Sequence, residues 1–175
     1  MKNICTIVVG LFSTILFGQL TLGKASITSE SIIFDFEDTA DNIKGIILPS
    51  VDNLPSSTNI ENNGMFLFDE TEQIVKVLEN GIWKNLSDKG SSKNLYTTDR
   101  VKNTSPEVGE GIIIGDTSTK ANAILALESL NKAMRLPQIA NPHLNVKSPY
   151  PGMMCFDTVS NTLAVFDGEN WNYWK

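Results

Sequence analysis

The sequence predicts an all-β protein: two small repeated β-meander modules joined by a linker, after a signal peptide. Three observations lead there. The chain repeats itself at a constant offset of 88 residues, which is the mark of a duplicated structural unit. Its apolar residues fall in short β-branched or aromatic runs separated by turn-forming polar residues. An apolar run also opens the chain directly behind a single lysine.

At the N-terminus, Lys2 precedes an apolar run from Ile4 through Leu16 and Phe17, followed by small residues. A run of this kind is shorter than the ~20 residues that span a bilayer, so residues 1–25 read as a secretory signal peptide. Two cleavage points fit. Gly23-Lys24-Ala25 supplies small residues at the two recognised positions before a cut after Ala25, while a cut after Gly18 exposes Gln19. The protein is therefore expected to be exported to the periplasm, the outer-membrane surface or the medium, with no membrane span in the mature chain. Losing the leader removes Cys5 and leaves Cys155 as the single cysteine, so no disulfide can form within the mature chain.

The modules are read as residues 29–87 and 112–175. Placing 44–86 beside 132–174 without a gap pairs Lys44 with Lys132, Leu48-Pro49 with Leu136-Pro137, Asn53 with Asn141 and Gly64-Met65 with Gly152-Met153. The same register pairs Phe68-Asp69 with Phe156-Asp157, Val77 with Val165 and Trp83 with Trp171. Upstream, after a short gap, Ile32 to Glu37 resembles Ala123 to Glu128 as a first strand.

Within each module, Leu-Pro closes an early short strand, because proline cannot donate to a ladder. A variable insert follows, Asp52 to Asn62 or Ala140 to Tyr150. A strand then starts straight after a glycine (Met65 to Phe68, Met153 to Phe156), and a polar loop leads into Ile74 to Leu78 or Thr162 to Phe166. Asn80-Gly81 or Asp167-Gly168 makes the last turn, and the final strand carries Trp83 or Trp171. Residues 88–111, rich in Ser, Lys, Asn, Thr and Gly, read as the linker. Gly64, Gly152, Phe68, Phe156, Trp83 and Trp171, being shared, are expected to be scaffold. A unit this small buries too little apolar surface to stand alone, so the modules are expected to pack on each other or the protein to oligomerise.

The pattern Lys-x-x-x-Leu-Pro, then Pro-Gly-Met-x-x-Phe-Asp-Thr, then Leu-x-x-Phe-Asp-Gly-x-x-Trp, running from Lys132 to Trp171, resembles repeat modules of secreted Bacteroidota proteins and of phage tail-fibre-like proteins. Ile114-Gly115-Asp116 followed by Ala123 to Ser129 is similar to the segment that precedes the pattern there. The second module resembles it more closely than the first, where Asn63 stands for the proline and Leu86 for Trp174. The resemblance implies a surface, fibre or adhesin piece.

Composition narrows the function further. A formal charge of −6, with no basic cluster, makes a nucleic-acid backbone or an anionic membrane surface a poor partner. His143 is the sole histidine and has no nearby ligand set, so no metal or other cofactor is expected. No nucleophile elbow or phosphate loop is present. Asp69 and Asp157, at equivalent hairpin mouths, are read as turn caps, and Cys155 as a buried inert thiol. The expectation is a non-enzymatic structural or adhesion-type surface protein, self-associating or bound to a protein partner in an envelope or fibre assembly. The alternative is a carbohydrate binder, with Trp174, Tyr173, His143 and Tyr150 as the candidate ligand-binding residues.

Overall fold

The computed structural model describes residues 18–56, 59–90 and 111–175. The apolar core of the expected signal peptide and residues 91–110 of the expected linker lie outside them. Within them the chain is β-rich, as expected. In order come β1 (Leu20–Leu22), β2 (Ile32–Phe36), β3 (Ile46–Ile47), β4 (Ser50–Val51), β5 (Phe66–Asp69), β6 (Ile74–Glu79) and β7 (Ile82–Asn85). After the linker follow β8 (Ile112–Ile114), β9 (Leu125–Leu127), β10 (Ala133–Met134), β11 (Gln138–Ile139), β12 (Met153–Asp157), β13 (Thr162–Phe166) and β14 (Trp171–Trp174). One helical turn, α1 (Pro142–Asn145), interrupts the second insert.

The repeat reappears as strand register. Strand β4 runs parallel to β5 with Ser50 opposite Phe68, and β11 runs parallel to β12 with Gln138 opposite Phe156. Antiparallel partners agree as well: Phe68 faces Val75 as Phe156 faces Leu163, and Leu78 faces Trp83 as Phe166 faces Trp171. Turn chemistry sets these registers. Gln73 and Asn161 end the two four-residue hairpin loops with φ of 60° and 56°, and Asn80 and Gly81 adopt positive φ in the next turn, the conformation that matches strand twist.

The repeat also reaches further upstream than residue 29. Strand β1 pairs in parallel with β2, Leu20 opposite Phe34, just as β8 pairs with β9, Ile112 opposite Leu125. In both pairs a glutamate closes the ladder: Glu37 N–H donates to Leu22 O and Glu128 N–H to Ile114 O. Strand β1 therefore falls inside the 1–25 segment read as signal peptide.

The modules are not beads on a string. Strand β3 of the first module adds to the second module's sheet, antiparallel to β12, and β10 of the second adds to β2 of the first. A shared core of Leu48, Phe68 and Val75 from one module and Met154 and Val165 from the other lies between them. A second cluster, Ile139, Met153, Cys155, Ala164 and Phe166, fills the far face of the second sheet, so β12 and β13 are buried on both sides. Joining in this way supplies the apolar burial that each module lacks alone.

Candidate functional site

The residues singled out for ligand binding do not converge on one site. Tyr173 and Trp174 are neighbours on β14, so alternation sends them to opposite faces of the sheet. On one face, Tyr173 Oη and His143 Nδ1 lie 2.8 Å apart with the rings edge-on, tying α1 to the last strand. Burial and the nearby Asp157 carboxylate raise the tyrosine above its usual range. On the other face, Trp174 Nε1 donates to Leu86 O of the first module, although the residue is 47% exposed. Tyr150 sits half-buried in the insert, where its carbonyl accepts the Met153 N–H. Two of the four residues are thus brought together, and Trp174 spans the modules.

The carboxylates hold turns. Asp69 Oδ1 accepts the N–H groups of Thr71 and Glu72, and Asp157 Oδ1 accepts those of Val159 and Asn141. Burial pushes both acids up, but hydrogen bonds from Lys76 to Asp69 and from Ser160 to Asp157, with those backbone donors, hold them below the usual carboxylate range. Cys155 is fully buried and its thiol is pushed up to about 12 by burial and the nearby Asp157, which removes the thiolate that reactivity needs.

Sequence reasoning missed one charged cluster. Asp35 on β2 is fully buried, 3.0 Å from Lys24 Nζ and 3.4 Å from Arg135 Nη1, and accepts the Thr28 N–H at 2.8 Å. Burial raises this acid, and its bonds to Thr28, Lys24 and Arg135 more than reverse that, leaving it well below the ordinary range. Its three partners come from the N-terminal segment and from the second module, so the cluster clamps β10 onto β2. The only hint in the sequence was an aspartate within the apolar run Ile32 to Phe36.

Of the residues shared between the modules, Trp83 is half-buried with no hydrogen-bond partner for its indole Nε1 among the described residues. Phe68 is buried, Phe156 half-buried, and Trp171 stacks at an angle on Phe166 with centroids 5.4 Å apart. Gly64 and Gly152 both have positive φ, +88° and +78°. Gly152 also lies so close to the first module that a Cβ there would sit 2.9 Å from Phe68 Cβ.

What remains exposed is apolar. Ile112, Ile124 and Leu125 on and beside the β8–β9 pair are 64%, 59% and 42% exposed, and this two-stranded sheet gains no further strand among the described residues. An open depression of about 310 Å³ is lined by Met134, Arg135, Leu136, Gln138 and Phe156. Among the described residues no group of three or more His, Cys, Asp or Glu could hold a metal ion, and no helix is long and apolar enough to cross a membrane.

Comparison with known proteins adds one finding. Residues 111–175, from the start of β8 onward, match the family model described as the phage tail like trimerisation region. No curated protein and no solved structure matches the chain.

Proposed function

We propose that this protein is a non-enzymatic structural piece of an exported, fibre-like or surface assembly, built by association of copies of the chain. The observation that carries the reading is the match of residues 111–175 to a trimerisation region. It is supported by the exposed apolar residues of β8 and β9, since an isolated two-stranded sheet is marginal in water and needs covering. Export follows from the apolar run Ile4 to Phe17 behind Lys2.

Light scattering coupled to size exclusion on the protein recovered from the periplasm, surface or medium tests the reading. A particle of three chains is expected; a stable monomer, or protein confined to the cytoplasm, sinks it.

A carbohydrate-binding or adhesive role has less behind it. Tyr173 and Trp174 share no stacking platform, and Trp174 is engaged with Leu86. A glycan array with wild type and Trp174→Ala separates this alternative: glycan binding lost in a folded variant would favour it.

A further inference from the structure

The two modules are counterparts, yet among the described residues the contact that joins them is used only once. Strand β10 is the counterpart of β3 at an offset of 88 residues, and β9 is the counterpart of β2 at an offset of 91. Successive residues of a strand address opposite edges. On β10, the N–H groups of Ala133 and Arg135 donate to Ser31 O and Phe34 O of the β2 region at 2.8 and 2.9 Å.

Their counterparts on β3 are Gly45 and Ile47. This strand addresses β12 through Ile46, opposite Met154, and through Leu48, whose N–H donates to Gly152 O. By strand alternation the N–H groups of Gly45 and Ile47 therefore point away from β12. On the receiving side, the counterpart of Phe34 is Leu125. Strand β9 accepts from Ile112 N–H through Ile124 O and donates from Glu128 to Ile114 O, so Leu125 also faces outward.

Burial follows the same division. On β2, Ile33 and Phe34 are 2% and 6% exposed, whereas their counterparts Ile124 and Leu125, and Ile47 on the other open edge, are 59%, 42% and 55% exposed. Side chains have changed in step. Where Arg135 reaches the buried Asp35, the counterpart positions carry Ile47 and Ala126, an apolar pair in place of an ion pair.

An independent feature marks the same vacancy. Each residue lining the open depression, from Met134 to Phe156, is the counterpart of Ile46, Ile47, Leu48, Ser50 or Phe68. Within the chain, Ile46, Leu48 and Phe68 of that counterpart surface are met by Gly152 to Met154. The counterpart of Gly152 is Gly64, where a Cβ would meet nothing within 4 Å.

We propose that copies of this chain join head to tail through a second edition of the contact between its own modules. Strand β3 of one copy lies in parallel on the outer edge of β9 of the next, and Gly64 to Phe66 of the first enters the Met134–Leu136–Phe156 depression of the second. The donating and receiving patches differ, so the contact is heterologous and closes a ring or extends a filament. Closure at three rests on the self-association proposed above.

The test uses Ile47→Pro and Leu125→Pro in protein purified from cells expressing the full chain. Each removes one outward N–H without touching the bonds to β12 or β8. Each variant alone is expected to elute with the mass of one chain. Mixed, they form a one-to-one pair and nothing larger, because each retains the edge that the other has lost. Ile47→Arg and Leu125→Arg, both at exposed positions, repeat the test if circular dichroism shows a proline variant unfolded. Folded variants that keep the wild-type mass overturn the proposed edges and leave self-association standing. A monomeric wild type overturns both.

Discussion

At the scale of single residues, the two repeat glycines separate two reasons for conserving a shape. Gly64 is needed for its positive φ alone, while Gly152 is needed for φ and for the approach of Phe68. A left-handed conformation costs an alanine about 1–2 kcal/mol, and at Gly152 the 2.9 Å contact adds overpacking against a buried ring. Gly152→Ala is therefore expected to lower the denaturant midpoint clearly more than Gly64→Ala. Equal losses in a urea titration would remove the packing argument. The role of Asp69 and Asp157 as turn caps was legible because aspartate before a short polar loop has a local use. The role of Asp35 was not legible, because Arg135 lies 100 positions away.

At the scale of elements, hairpins were legible and crossings were not. Strands β5 to β7 and β12 to β14 carry their own turn residues and alternation, so their order could be read directly. Strands β3 and β10 are two residues long, too short to show a period, and their partners are chosen by the docking of the modules. Strand β1 raises a matter of processing. Cleavage after Ala25 would delete β1 and Lys24, removing the ladder on β2, the bond from Gln19 Nε2 to Ile32 O and the ion pair with buried Asp35. Cleavage after Gly18 would keep all three. If the chain is exported as proposed, intact-mass analysis is expected to show Gln19 as the first residue, and a chain starting at Ser26 would rule this out.

At the scale of the whole molecule, the modules depend on each other. Residues 112–175 taken alone would strip β3 from β12 and the Leu48 and Phe68 cover from Met154 and Val165. Large apolar side chains of this kind contribute about 1.5–3 kcal/mol each when buried, a serious fraction of a small domain's stability. As a monomer, the isolated module is expected to melt without a cooperative transition; a sharp transition at the mass of one module would contradict this. The sequence by itself determined the β class, the duplication, the order of the hairpin strands and the turn residues, because each depends on contacts between near neighbours or on a pattern repeated in the chain. Only the tertiary structure decided which strands cross between modules, where Asp35 finds its cations, that Tyr173 and Trp174 part company, and which copy of a repeated edge is left open. Those outcomes depend on how two nearly equivalent surfaces meet, and a one-dimensional repeat records that the surfaces are alike without recording which of them is covered.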